Sequence, residues 1–194
     1  MFNGAACTGA RVGGVSGEFR AGVPSVPGAF GSLAPSRLLN TLAGVGAPKV
    51  AVAAGGTVHL QVTGRGGVPA TGVSAVVLNV AVVGPTSAGY ITVYGDLTSR
   101  PGASNLNFVK GQTVPNLVIA PVGTNGKVAL YNGSAGTVAL VADVSGYFLS
   151  GTPTVPGAFG SLAPSRLLNT LAGVGAPKVA VAPGGTVGMQ VIGR

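Results

Sequence analysis

Residues 57–63 read TVHLQVT and residues 75–83 read AVVLNVAVV. In the first stretch Val58, Leu60 and Val62 face one way, while Thr57, His59, Gln61 and Thr63 face the other. This is the period-two pattern of a half-buried antiparallel strand. The second is apolar on both faces apart from Asn79, which predicts a central strand covered on both sides. Around 137–144, Val138, Leu140, Ala142 and Val144 alternate with Thr137, Ala139, Val141 and Asp143. Further runs rich in Val, Ile, Leu and Thr fall at 48–53, 89–94, 104–109, 115–122 and 126–131, punctuated by Gly, Pro, Asn and Ser. Short strands at this spacing predict an all-β fold, an antiparallel β-sandwich of jelly-roll or Ig-like type. Only SRLLNTLAG, at 36–44 and again at 165–173, offers a helical turn, with Ser36 as cap and Gly44 as stop.

Working outward from these strands, the chain repeats itself. Residues 26–65 return at 155–194, offset by 129 positions, with changes only at Ala54/Pro183, His59/Gly188, Leu60/Met189 and Thr63/Ile192. At the same offset the opening MFNGAACTGARVGGVSGEF aligns with LYNGSAGTVALVADVSGYF at 130–148. A period of this length is a whole domain, so the pattern reads as a tandem array of modules. The expected organisation is closing strands of a preceding repeat over 1–22, one complete β-sandwich module over 23–149, and a linker with the opening strands of the next repeat over 150–194. Pro-rich VPSVPG (23–28) and TPTVPG (152–157) read as extended linkers. Met1 falls opposite Leu130 inside the repeat and no signal peptide is visible, so the start reads as a processed or truncated edge.

Composition narrows the function classes. Only 7% of the 194 residues are charged, against roughly 25% in ordinary globular domains, and 35 are Gly and 14 Pro. Such a surface suits a secreted, weakly hydrated module and leaves apolar area for neighbours. Every apolar run is broken well short of the roughly 20 residues of a spanning helix, so no membrane span is expected. The net charge of +8 comes from eleven basic residues scattered singly, without a stripe or interleaved aromatics. That argues against nucleic acid as a partner; weak attraction to an acidic wall polymer fits better.

Catalytic chemistry has little to work with. The chain offers Glu18, Asp96, Asp143 and a single His, and the repeat places Tyr147 opposite Glu18 and Gly188 opposite His59. A residue that one copy dispenses with is a poor candidate for essential acid–base or nucleophilic work, so the chain is not expected to be an enzyme and His59 reads as an exposed strand residue. Asp143 is expected to cap or turn the chain ahead of Gly146. Calcium needs more oxygen ligands than these few carboxylates supply, and zinc fails on ligand count; neither metal nor cofactor is expected. Cys7, opposite Gly136, stands alone. GVGAPK (44–49) lacks the third glycine of a dinucleotide fingerprint and marks turns, and Asn132-Gly133-Ser134, formally a glycosylation acceptor, is first a hairpin turn signal. Arg37 and Arg166 recur in context, either bonding carbonyls at the module edge or meeting a partner. Gly188 and Ile192 replace His59 and Thr63 on the presumed outer face, removing polarity where a neighbour can pack. These four residues are the expected assembly contacts.

The ordered set PSRLLNT (35–41), GGVPATGVSAVVLNV (66–80), GYITVY (89–94), SNLNF (104–108), GQTVPNLV (111–118) and ADVSGYF (142–148) resembles a family of secreted bacterial repeat modules found in Actinobacteria and some other soil phyla. The resemblance covers nearly all of 26–149. It implies an extracellular accessory or structural β module, in tandem or beside wall-active enzymes, with no catalytic residues to carry over. The chain departs at Asn40 and Asn169, where that family usually has Asp, and lacks the paired cysteines of some relatives. Two functions follow as expectations. One is a cell-surface structural repeat whose modules join copies of themselves head-to-tail into a stalk, sheath or filament. The other is an accessory module binding cell-wall polysaccharide through Tyr90, Tyr94, Tyr131 or Tyr147.

Overall fold

A computed structural model describes residues 24–193. The expected closing strands over 1–22, with Cys7 and Glu18, lie outside the described residues. Eight strands form: β1 (Phe30–Asn40), β2 (Thr57–Gln61), β3 (Val73–Val83), β4 (Gly89–Gly95), β5 (Leu106–Phe108), β6 (Val114–Pro121), β7 (Lys127–Asn132) and β8 (Ala139–Leu149). No helix occurs among the described residues, and no helix is long and apolar enough to cross a membrane.

The strands make two four-stranded antiparallel sheets, β1-β8-β3-β6 and β2-β7-β4-β5. The pairs β1·β8, β2·β7, β3·β6 and β4·β5 are those of one long hairpin rolled over itself, and β3·β8 and β4·β7 join the turns of the roll. Eight strands wound in this way are a jelly roll. The core lies between the sheets. Val76, Leu78, Val80 and Val82 of β3, with Leu140, Ala142 and Val144 of β8, meet Leu60 of β2, Ile91 and Val93 of β4, and Val128 and Leu130 of β7. Each such side chain, withdrawn fully from water, contributes about 1.5–3 kcal/mol. As expected, β3 is central, between β8 and β6, but its outward face is only partly covered, Val77 being buried and Asn79 exposed.

Two elements differ from the sequence expectation. SRLLNTLAG forms no helical turn; residues 36–40 end β1, and a turn follows over 41–44. Leu38 and Leu39 are both buried, against the alternation expected of an edge strand covered on one face; a register shift against β8 between Arg37 and Leu39 accounts for it. Pro35 sits at a second irregularity, between Ser32 and Ser36, where no ladder donor is needed. Conversely, 48–53 is a loop whose one ladder-type contact is a bridge from Val52 to Val138.

Both strands of the repeated segment are edge strands, β1 of one sheet and β2 of the other. Residues 26–65 thus close one side of the sandwich, and residues 66–149 supply its body.

Candidate assembly interface

Residues 155–193 carry almost the sequence of 26–65 but form no strand. Strands need partners for their backbone groups, and β8 and β7 are already taken by β1 and β2. The turns, which need only local bonds, are retained. Asn40 N donates to Val45 O (2.9 Å), Val45 N to Asn40 O (3.0 Å), and the Asn40 side chain accepts from Leu42 N (2.9 Å). The second copy repeats this with Asn169, Val174 and Leu171, at 2.9, 3.0 and 3.0 Å. Gly46 and Gly175 share positive φ, 70° and 67°, and in both a Cβ would strike the carbonyl oxygen of Leu38 or Leu167. A shallow groove bordered by Ala47, Val52 and Val58 recurs at Ala176, Val181 and Val187.

What the second copy lacks is cover. Leu39, Leu60 and Val62 are fully buried, whereas their counterparts Leu168, Met189 and Val191 are 36%, 40% and 58% exposed. Ile192 is more exposed still, and Gly188 faces open space. The face that is core in one copy is surface in the other.

The four assembly candidates are placed differently. Arg37 on β1 forms a bidentate pair with Asp143 of β8, its Nε and Nη2 donating to the two carboxylate oxygens. Those bonds hold the guanidinium above its ordinary value against the opposing effect of burial. Asp143 is therefore no backbone cap. The register sets Arg37 opposite Asp143, so the carboxylate takes the guanidinium in place of local N–H groups. Arg166, without a β8 opposite it, donates from Nη2 to Gly102 O at 2.8 Å. Gly188 and Ile192 lie on the uncovered segment.

A second cluster had no signal in the sequence. On the outer face of the second sheet His59 and Tyr94 flank the small Ala129, which leaves the imidazole room to reach Asp96. His59 Nδ1 lies 2.6 Å from Asp96 Oδ1, and Asn125 Nδ2 donates to Oδ2 at 2.9 Å. Burial pushes the Asp96 carboxyl up, but bonds from Asn125 and His59, the imidazole charge and the Leu97 N–H outweigh it and hold the pKa below the ordinary value. The pair ties edge strand β2 to the end of β4. Among the described residues no group of three or more His, Cys, Asp or Glu gathers to hold a metal.

The four tyrosines are placed differently, with Tyr94 bordering a groove beside Arg100 and Pro101. Tyr147 is buried in the core, the Tyr131 ring is covered by the Arg100 guanidinium at 3.7 Å, and Tyr90 lies 6.4 Å from Tyr131 at a tilt. Asn132 is fully buried. Its Nδ2 donates to the carbonyls of Val52, Ala53 and Gly136, and its Oδ1 accepts from Ser134 N and Oγ. It staples the β7–β8 connection to the 52–56 loop and offers no surface for a glycan. No protein-family model and no curated protein matches the chain.

Proposed function

We propose that this chain is an extracellular structural repeat protein whose β modules link head-to-tail, in a surface stalk, sheath or filament, by strand complementation. One observation carries the reading: residues 155–193 keep the turns of a closing edge while leaving uncovered the side chains that are core in 26–65. A segment of this kind gains about 1.5–3 kcal/mol per large side chain it fully buries on a partner, and unpaired edges recruit strands. Joining the C-terminal part of one copy to a different surface of the next is a heterologous contact, which propagates into rings or open filaments. The sparse charge and the resemblance to secreted repeat modules support an extracellular setting.

Light scattering and electron microscopy of the full chain and of a chain lacking 155–194 test this. The full chain is expected to form concentration-dependent assemblies and the shortened chain to stay monomeric. Identical behaviour of the two sinks the reading.

A further inference from the structure

We infer that residues 155–194 are a second, competing pair of edge strands for the body of their own chain, able to take the places of β1 and β2 and thereby release 26–65 as the free docking segment. The first argument is fit. The uncovered side chains of 155–193 repeat those that 26–65 lays on β8 and β7, and the backbone turns between them already have the required shape. The edge formed by β8 and β7 is thus the surface the molecule itself shows covering this sequence.

The alternative cover, the N-terminal segment of another copy, fits less well. Aligned on β8, it sets Arg11, Gly13 and Glu18 where Leu140, Ala142 and Tyr147 are buried.

The second argument is reach. Phe30 opposes Phe148 at the end of β8, and Gly28 N donates to Leu149 O at 3.1 Å, so the module begins where it ends. Phe159, the counterpart of Phe30, already stacks on Phe148 at 4.2 Å, and its N donates to Gly28 O at 3.0 Å. The connection through 150–158 is long enough to turn back, making β8 and 159–169 an antiparallel hairpin. Closing that loop requires less entropy than bringing Phe30 to Phe148 across the whole body.

The third argument is selection, because two of the four substitutions bear on which copy holds the edge. The second copy has Gly188 where His59 binds Asp96, and Ile192 where Thr63 accepts from Gln61 Nε2 (2.9 Å) and lies 3.4 Å from Gly126 O. Leu60/Met189 conserves volume, and Ala54/Pro183 falls at an exposed position. Loss of one charge-assisted bond shifts an equilibrium by roughly tenfold, which favours 26–65, as observed. Exchange moves the uncovered face from the C-terminal to the N-terminal side of the body without changing what the body buries. The inference shares with the proposed function only the premise that 155–194 can dock on a β7–β8 edge.

The test uses the full chain with Cys7→Ser, Asp143→Cys and Arg166→Cys, a disulfide pair that meets only if Arg166 takes the place of Arg37. Leu39→Asp evicts the first copy. The expected result is a disulfide within single chains, monomeric on non-reducing electrophoresis, with cooperative β-sheet melting retained; adding Leu168→Asp should abolish both. In the chain carrying the cysteine pair but not Leu39→Asp, His59→Gly should raise the cross-linked to uncross-linked ratio roughly tenfold. Unfolding by Leu39→Asp irrespective of Leu168, with no cross-link in the His59→Gly chain, overturns the inference. A ladder of chains linked to one another also overturns it while sustaining head-to-tail joining. Cross-linking within chains, with no assembly at any concentration, sustains the exchange and sinks the proposed function.

Discussion

Replacing Asn132 by alanine deprives three carbonyls of their shared donor and Ser134 of its acceptor, in a place where the side chain has no exposed area. Val52 O, Ala53 O and Gly136 O each keep one other donor, in Val138 N, Gly56 N and Ser134 Oγ, so what they lose is their second bond. At about 0.5–1.5 kcal/mol for each hydrogen bond lost, three from Nδ2 and those Oδ1 accepts from Ser134, the expected loss is about 2–4 kcal/mol. For a module of this size that is a fall in Tm of roughly 8–15 °C. Asn132→Asp separates hydrogen bonding from volume. A carboxylate has no N–H, so three carbonyl oxygens would face a buried negative charge and its folded pKa would rise above the ordinary value of about 3.9. A raised folded pKa means that the folded state binds more protons, so stability declines as pH rises through that value. The Asp variant should therefore be the least stable of the three proteins at pH 7 and recover on acidification. Chemical denaturation followed by circular dichroism from pH 4 to 8 reads all of this. An alanine variant within about 0.5 kcal/mol of the parent, or an Asp variant without recovery at low pH, refutes the staple.

Two further predictions concern the body of the sandwich. A Cβ at Gly123 would collide with the backbone of Asp96, whereas one at Gly102 meets nothing. Gly123→Ala should accordingly lower stability by about 1–3 kcal/mol in thermal melts while Gly102→Ala stays within about 0.5 kcal/mol. Asp96 has a folded pKa below its unfolded one, so its contribution is present above about pH 4 and is lost as pH falls through the folded value. Asp96→Asn should flatten the acid limb of the stability profile there, and an unchanged limb contradicts the lowered pKa.

Strands whose side chains alternate or run apolar were legible from sequence: β2, β3 and β8 carry their burial in their spelling. β1 was not, because Pro35 and the adjacent leucines Leu38 and Leu39 break the period, and only the bulges against β8 reconcile them with a strand. The opposite error at 48–53 arose because Val50 and Val52 alternate correctly but only Val52 finds a partner. Partners decided the site as well. His59 and Asp96, or Arg37 and Asp143, lie far apart in sequence and meet through register, which local pattern does not encode. The repeat shows this most directly. Identical residues are strand over 36–40 and lie outside any strand over 165–169, so the conformation belongs to the β8 edge as much as to the segment. The Asn40 and Asn169 turns depend only on nearby atoms and are the same in both places.

The meeting of the module's two ends, Gly28 against Leu149, has a mechanical consequence. Tension entering through 24–29 and leaving through 150–157 pulls on neighbouring ends of the antiparallel strands β1 and β8, across their ladder and not along it. The hydrogen bonds then bear load one after another, as in a zipper, whereas pulling the strands lengthwise past each other would load them together. A string of such modules would yield at low force, opening at β1 first, and would pay out the slack of a peeled edge long before the body of any sandwich gave way.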